Sequence, residues 1–340
     1  MIKLKKHLKT AALVAASCAA LASTSVSADL LKRTFCVFDP IGANGPLFSV
    51  MKSAKPINMK WGVDLDMRAY TDEKIAAEDF KAGQCDSVLL TGTRSREFNN
   101  FTGSLEALGA IPGQKEMKMV LATLNTPKAA KLLRNGNYEV AGIFPAGAIY
   151  LFLRDRTVNT VEALQGKKIA TFDYDKAAVT MVRHIGASVV GASSANFAGK
   201  FNNGSVDVIY APAVAYTPLE LYKGLGDAGG IFEYAVAQMS FQVIIHSDRF
   251  PEGYGQKVRD YASARYSEAY DIVEKAEAEI NSTHWVKPRP QDVAGYDNLL
   301  REVRISLKDD GVYNGKALRL MKKVRCKTRP SNAECAENRE

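Results

Sequence analysis

One stretch near the start of the chain decides the fold: Thr34-Phe-Cys-Val-Phe38, followed by Asp39-Pro-Ile-Gly42-Ala-Asn44-Gly45-Pro46. The first five residues are β-branched, aromatic or otherwise apolar, which predicts a short buried strand. The glycines, prolines and asparagine that follow predict a loop, and residues 47–54 predict a helix after it. A strand that passes through a loop into a helix is the first unit of an alternating α/β chain.

The same order continues outward from this stretch. Residues 63–70 alternate apolar and polar side chains, as a strand with one covered face does. Thr71 and Asp72 can cap a helix over 73–81, and residues 85–90 predict a third strand. The order strand–helix–strand–helix–strand predicts a doubly wound domain with a largely parallel sheet.

A second unit of the same kind follows, as two domains in 340 residues would require. Residues 236–247 then predict one long strand that could return the chain to the first unit. Residues 251–282 predict a long helix, about 45 Å at 1.5 Å per residue, which would cross both domains. The second unit's predicted strands are 138–144, 148–154, 168–172, 187–190 and 206–210. Further helices are predicted over 161–164, after Asp175 to about 185, and over 194–201, 291–308 and 315–325.

The net charge of +8 first suggests a nucleic-acid or membrane partner. However, residues 1–28 hold four Lys and no acid, and residues 301–329 hold ten Lys or Arg against three acids. The body over 29–300 is therefore close to neutral, which argues against nucleic acid as a partner. For the basic helix over 315–325 we predict a solvated face, with a docking surface for a partner or for anionic lipid as the alternative.

The first 28 residues predict a secretory signal peptide. Lysines precede a short apolar run, and Val26-Ser27-Ala28 supplies an A-x-A-like cleavage site, so we predict export to the periplasm and cleavage near Ala28. A lipoprotein signal with Cys18 is the alternative, although the residues before Cys18 lack a large aliphatic side chain. The apolar run over 11–22 is too short for a membrane-spanning helix.

Four cysteines remain after cleavage, an even number in an oxidising compartment. They allow three pairings, and we favour Cys36–Cys85, each in a predicted strand, and Cys326–Cys335, which flank a polar loop. No C-x-x-C pair occurs, so a redox or metal role is disfavoured.

Catalytic motifs are missing from the sequence: H-E-x-x-H, a P-loop, a dinucleotide-binding G-x-G-x-x-G and G-x-S-x-G. We therefore predict a protein that is not an enzyme and has no cofactor, no metal and no catalytic residue. Ligands of open α/β sheets bind at the carboxyl ends of the strands. The residues there that predict a ligand site are Phe38, Asp39, Asn44, Tyr70, Asp72, Thr91, Arg94, Asp173, Tyr174, Asp175, Tyr210, Pro212 and, on the long strand, Gln242. Helix capping by the aspartates and core packing by the aromatic residues are the competing interpretations.

Several segments, in order, resemble the periplasmic solute-binding proteins of TRAP transporters (DctP-like). They are Gly83-Gln-Cys-Asp86, Thr91-Gly-Thr-Arg94, residues 103–112, Asn159-Thr-Val-Glu-Ala-Leu-Gln-Gly166-Lys-Lys-Ile169, Ile185-Gly-Ala and Asn203-Gly-Ser-Val-Asp207. The resemblance implies a two-lobed α/β fold of two doubly wound sheets joined by hinge strands near 140–154 and 236–247. Lobe 1 would comprise 29–140 plus 249–340, and lobe 2 would comprise 141–248.

The resemblance also implies a monomer that closes over a small-molecule ligand and passes it to a membrane permease. One position departs from the family pattern: the arginine that clamps a carboxylate should follow Ile169, and this chain has Ala170. With several aspartates nearby, we predict a cationic or polyhydroxylated ligand.

The chain is also similar to a divergent group often labelled RND-type efflux or aminoglycoside-resistance proteins. A pump subunit needs many membrane spans, so only an accessory role, sequestering a cationic compound, stays open. A hydrolase on a similar scaffold is the second alternative.

Overall fold

The computed structural model describes residues 29–340, so the predicted signal peptide and Cys18 lie outside the described residues. Ten strands form one sheet in the order β2-β1-β3-β9-β5-β8-β6-β7, with β10 beside β9 and β4 beside β5. The strands are β1 (Leu31–Phe38), β2 (Val63–Tyr70), β3 (Ser87–Thr91), β4 (Arg134–Asn135), β5 (Tyr138–Leu153), β6 (Lys168–Phe172), β7 (Ser188–Ala192), β8 (Val208–Pro212), β9 (Gly230–His246) and β10 (Trp285–Val286).

Thirteen α-helices cover the two faces of this sheet within the described residues. They are α1 (Pro46–Ser53), α2 (Lys55–Lys60), α3 (Glu73–Lys81), α4 (Gly92–Ser95), α5 (Asn100–Gly103), α6 (Gln114–Leu124), α7 (Lys176–His184), α8 (Phe197–Asn202), α9 (Tyr222–Leu225), α10 (Tyr254–Ala264), α11 (Tyr266–Glu279), α12 (Pro290–Asp309) and α13 (Gly315–Thr328). Within the same residues, no helix combines the length and apolarity that crossing a membrane requires.

The sheet has two parallel halves joined by two long antiparallel strands. Strand β1 pairs in parallel with β2 and β3, and β6 pairs in parallel with β7 and β8. We call β1–β3 with α1–α6 lobe 1, and β6–β8 with α7–α9 lobe 2. The two-lobed α/β fold is therefore confirmed. The boundaries of the domains stay a prediction.

Strands β5 and β9 connect the lobes in the places predicted for hinge strands. They pair over most of their length, with register shifts between Val140 and Gly142, Pro145 and Gly147, and Ile149 and Leu151. Because bulges of this kind bend a strand and increase its twist, β5 can serve both lobes without ending. The predicted two sheets are thus one hydrogen-bonded sheet, and the strands predicted over 138–144 and 148–154 are one strand.

The predicted helix over 251–282 is two helices, α10 and α11, which meet at Arg265. Tyr254 and Val258 of α10 pack into the core of lobe 1, whereas Ile280 just after α11 packs into the core of lobe 2. The helix pair therefore crosses both lobes, as predicted. Tyr296 of α12 also packs in a cluster with lobe 2 residues, including Val208.

Both predicted disulfides are confirmed. Cys36 of β1 is joined to Cys85 inside the core of lobe 1, where both residues are buried. Cys326 of α13 is joined to Cys335, which holds the last residues of the chain against α12 and α13.

The basic C-terminal segment is only partly a solvated face. Lys316 and Lys323 of α13 are exposed, as predicted. Arg325 is 2% exposed, and its guanidinium donates to Glu334 at 2.7 and 2.9 Å and to Glu340 at 2.7 Å. The acidic end of the chain therefore neutralises a buried arginine of the basic helix.

Candidate functional site

A cavity of about 810 Å³ lies between the lobes, on the face of the sheet that α1, α2, α10 and α11 flank. Both lobes and the hinge strands contribute to its wall: Leu47 and Val50 come from lobe 1, Phe172 and Pro212 from lobe 2, and Phe144 from β5. Ligand sites of proteins are clefts of about 300–1,000 Å³ and occur preferentially between domains. This cavity is therefore the candidate ligand site.

Glu73, the first residue of α3, is buried on the cavity wall, and we call the part of the wall formed by buried Glu73, Glu106 and Asp175 the inner end of the cavity. Its Oε1 accepts from the Thr91 backbone N–H at 2.6 Å, and its Oε2 accepts from the Tyr174 hydroxyl at 2.6 Å. The Glu73 backbone N–H donates to Ser194 Oγ at 3.0 Å. Because Tyr174 and Ser194 belong to lobe 2, this one residue of lobe 1 holds both lobes together.

Glu106 is the second buried carboxylate on the wall. Its Oε1 accepts from the Gly92 N–H at 3.0 Å and from the backbone and hydroxyl of Ser240 at 2.7 and 3.1 Å, and its Oε2 accepts from Thr93 Oγ1 at 2.7 Å. Burial raises the pKa of Glu73 and of Glu106, and the donors at each carboxylate lower it in part.

Two arginines of lobe 1 reach across the cleft to lobe 2. The Arg94 guanidinium carbon lies 3.4 Å from the centre of the Tyr174 ring, a cation–π contact. Arg96 Nη1 lies 4.0 Å from Asp175 Oδ1, and Arg96 Nη2 donates to the Gly103 carbonyl at 3.3 Å. These cations are engaged by the protein itself.

Asp175 both caps a helix and lies at the candidate site, so it fits both of the interpretations that the sequence left open for it. Its Oδ1 accepts from the N–H groups of Ala177 and Ala178 at 3.2 Å each, so it caps α7. Its Oδ2 accepts from the Tyr210 hydroxyl at 3.3 Å, and both residues line the cavity. Burial raises the pKa of the Tyr210 phenol well above its usual value.

Thr93, Glu106, Asp175 and Tyr210 also line a smaller space of about 80 Å³, behind the inner end of the cavity. Arg96 and Tyr313 also line this space. Most of the other residues around this small space, including Leu108, Ile149 and Met181, are apolar.

The predicted ligand residues separate into two groups in the structure. Those on the cavity wall are Phe38, Asp39, Thr91, Asp175, Tyr210 and Pro212, and those off it are Asn44, Tyr70, Asp72, Arg94, Asp173, Tyr174 and Gln242. Arg94 and Tyr174 nevertheless contact each other beside Glu73. The part that each residue plays in ligand binding stays a prediction.

Several of these residues have structural partners. Asp39 accepts from the N–H groups of Ile41 and Phe48, each at 2.9 Å, and Asp72 caps α3 through the Lys74 N–H at 2.8 Å. Tyr70 donates to Asp79 at 2.7 Å, and Gln242 donates to the Thr102 carbonyl at 3.0 Å. Asn44 and Asp173 are exposed.

Glu73 and Glu106 are wall residues that the sequence reasoning missed. Glu73 directly follows the predicted cap Asp72. A glutamate in a first helical turn is common, however, because its negative charge interacts favourably with the positive end of the helix dipole. Glu106 lies in a short segment after α5, and its partner Ser240 is far away in the sequence. No local pattern distinguishes either residue from a surface carboxylate.

Ala170 lies in the middle of β6 and is fully buried. It packs in a cluster with Phe152 and Ile209. The side chain at this position is therefore a methyl group in an apolar core.

The chain matches known solute-binding proteins. A family model described as "Solute-binding protein AdeT 1/2" matches residues 50–340. The probable solute-binding protein AdeT1 of Acinetobacter baumannii is 42% identical over 89% of this chain and 100% of its own length. AdeT2 of the same organism is 25% identical over 70% of this chain and 100% of its own.

Solved structures share the fold at low sequence identity. A TRAP periplasmic solute-binding protein from Desulfovibrio salexigens with bound orotic acid is 12% identical, with a TM-score of 0.73 over 87% of this chain and 99% of that chain. The sugar acid binding protein DctPAm from Advenella mimigardefordensis, in complex with galactonate, is 11% identical, with a TM-score of 0.72 over 87% and 100%. The predicted resemblance is confirmed, and these relatives are binding proteins rather than enzymes, as predicted.

Proposed function

Since the chain belongs to the AdeT 1/2 solute-binding protein family, we propose that it captures a small molecule between its two lobes in the periplasm and delivers it to a membrane permease. The observation that carries the proposal is the set of contacts between the lobes at the inner end of the cavity. Glu73 binds Tyr174 and Ser194 of lobe 2, and Arg96 faces Asp175. Such contacts form when the lobes close and break when they separate.

The mechanism is a hinge whose closed state the ligand stabilises. A ligand in the cavity touches both lobes, so it binds the closed state better than the open one. Strands β5 and β9 provide the hinge, and α10 with α11 follows it across both lobes. The closed form is then the one that a permease would recognise.

The signal peptide over residues 1–28 and its cleavage near Ala28 belong to this proposal, because a protein that binds its ligand in the periplasm must first be exported there. The two disulfides support an oxidising compartment.

The ligand is held without a clamping arginine on β6, since Ala170 occupies that position. The organic acids bound by the two structural neighbours are anions. The wall of this cavity instead carries six acidic residues, Asp39, Glu73, Glu106, Asp175, Glu268 and Glu279, against two basic ones, Arg265 and Lys275. With Arg94 and Arg96, which contact Tyr174 and Asp175 beside the wall, acidic residues still outnumber basic ones by six to four, and this excess of negative charge favours a cation over an organic acid.

The same observation favours a second candidate function, the sequestration of a cationic compound without a permease partner. Genes for a membrane permease beside this gene would support delivery, and their absence together with binding of a cationic drug would support sequestration.

Small-angle X-ray scattering tests lobe closure. The exported protein is measured alone, after unfolding and refolding to remove bound molecules, and again with the small molecules that co-purify from the periplasm, which mass spectrometry identifies. We expect the radius of gyration to fall when the ligand is restored. An unchanged radius with every fraction would contradict the proposal.

A further inference from the structure

Apolar side chains form most of the cavity wall, well beyond what a small polar solute needs. Ile41 and Val50 of lobe 1 and Ile272 of α11 lie on this wall and are 41%, 43% and 51% exposed. Six large apolar residues are exposed in the described part of the chain, and three of them lie on this one cavity. Exposed apolar residues that gather at one site mark a binding surface.

Three of the six acidic residues of the wall, Glu73, Glu106 and Asp175, stand at the inner end. Asp39 is held by the backbone N–H groups of Ile41 and Phe48, and Glu268 and Glu279 lie on α11. The basic residues of the wall, Arg265 and Lys275, also lie on the α10–α11 pair, and Arg265 is paired with Glu268 at 2.6 Å. A molecule that fills the cavity therefore meets a mostly apolar wall and, at the inner end, three buried carboxylates.

We propose that the ligand of this site is an amphiphilic cation, with an apolar body along Val50, Phe144 and Ile272 and a positively charged head at Glu73, Glu106 and Asp175. The inference rests on the proposed function, because it names the class of molecule over which the lobes close. The volume of about 810 Å³ fits such a molecule, since it lies towards the upper end of the range of drug-sized sites. An apolar wall gains free energy from a hydrocarbon body and none from a polyhydroxylated one.

Tryptophan fluorescence can report binding at this site. The chain has two tryptophans. Trp61 lines the cavity, whereas Trp285 packs on Tyr150, with ring centres 5.0 Å apart, and is not on the wall. In a Trp285→Phe protein, the fluorescence of Trp61 therefore reports occupancy of the cavity.

The probes are octyl-, decyl- and dodecyltrimethylammonium, tetramethylammonium, dodecyl sulfate and dodecyl maltoside, all below their micelle concentrations. We expect one molecule to bind per chain, with affinity rising about fourfold for each added CH2. Dodecyltrimethylammonium should bind at least about tenfold more tightly than dodecyl sulfate, because the inner carboxylates attract one head group and repel the other. Tetramethylammonium, which lacks the apolar body, should not bind measurably.

A pair of matched variants places the bound tail. Ile272→Gln removes an apolar contact from the wall and should weaken dodecyltrimethylammonium about tenfold. Ile75→Gln alters a residue that is equally exposed, at 51%, but lies on α3 away from the wall, and it should leave the affinity unchanged. Circular dichroism verifies that both variants are folded.

The possible outcomes separate this inference from the proposed function. Equal binding of dodecyl sulfate and dodecyltrimethylammonium would overturn the cationic head, and affinity that does not depend on chain length would overturn the apolar body. Equal losses in Ile272→Gln and Ile75→Gln would show non-specific adsorption and would also overturn it. Tight binding of an organic acid with compaction, and of no alkyl probe, would overturn the inference while the proposed function stands. If no molecule binds or compacts the protein, both fail.

Discussion

At the scale of single residues, two tyrosines make the same bond with different consequences. The Tyr174 hydroxyl donates to Glu73 across the cleft at 2.6 Å, and the Tyr70 hydroxyl donates to Asp79 within lobe 1 at 2.7 Å. Only the first bond depends on the position of one lobe relative to the other. The two residues therefore allow closure to be separated from folding.

We expect Tyr174→Phe to weaken ligand binding about tenfold, because a hydrogen bond to a charged group contributes about 1.5–3 kcal/mol and this one exists only when the lobes are closed. Its free energy of unfolding should change little. Tyr70→Phe is the control, which should lower the stability of lobe 1 by about 1–2 kcal/mol and leave affinity unchanged. Titration calorimetry and urea unfolding measure the two effects, and equal affinities for the two variants would show that the Tyr174 bond does not contribute to closure.

At the scale of elements, the close contact of α11 with β5 depends on a glycine. Gly147 has φ of +94° at a register shift of β5, and a Cβ there would lie 2.6 Å from Val273 Cγ1 of α11. Gly136 also has a positive φ, of +57°, but a Cβ there would meet no atom within 4 Å. The two positions share the backbone requirement, and only Gly147 has the packing requirement.

Gly136→Ala should therefore cost about 1–2 kcal/mol, from the backbone alone. Gly147→Ala should lower the stability by about 1–3 kcal/mol more than Gly136→Ala does, because the branched Val273 side chain must move. Thermal unfolding measures both variants, and adding Val273→Ala to Gly147→Ala should recover part of the loss. Equal costs at the two glycines would contradict the close packing of α11 on β5.

The C-terminal segment acts as the counterion of two helices. Glu340 accepts from Arg304 of α12 at 2.6 Å and from Arg325 of α13 at 2.7 Å, and Glu334 accepts from both arginines. Removing one side of a buried ion pair leaves an uncompensated charge. The tail is therefore part of the fold, even though its sequence is polar and charged.

The variant with Glu334→Gln and Glu340→Gln should lose about 3–5 kcal/mol of stability in urea unfolding. Glu302→Gln is the control, since its pair with Arg339, at 2.7 Å, is exposed to solvent. We expect the control to unfold at the same urea concentration as the parent protein. A double variant as stable as the parent would show that the buried arginines find other partners.

At the scale of the whole molecule, the sequence predicted the order of the main strands but not every helix. The helix predicted over 161–164 is a turn, and α2, α4, α5, α6 and α9 were not predicted. Strand 63–70, strand 168–172 and helix 73–81 were predicted with the bounds that the structure has, because their periodicity and caps are local properties. Paired cysteines and the crossing helix pair were also predictable. The break at Arg265 and the fusion of two strands into β5 were not, since they depend on packing between distant segments.

The site was less predictable than the fold for a physical reason. Rules about strand ends located Thr91, Asp175 and Tyr210 on the cavity wall. The apolar walls have the composition of a core, and nothing in a single sequence separates Val50 or Ile272, which face a cavity, from residues that face a neighbour. The sequence analysis predicted a negatively charged site from its aspartates, although Glu73 and Glu106, which it missed, supply much of that charge.

The tyrosines give the whole molecule a predictable response to alkali. Burial raises the pKa of eleven of the fourteen tyrosines, to about 12 for Tyr70 and Tyr270. In the unfolded chain these phenols ionise near pH 10. The folded state therefore binds more protons above that pH, so its stability is complete below about pH 10 and falls as the pH rises towards 12. Ultraviolet absorbance at about pH 11 should show few tyrosinates in the folded protein and a large increase when urea unfolds it. Full ionisation near pH 10 without unfolding would contradict the burial of these phenols.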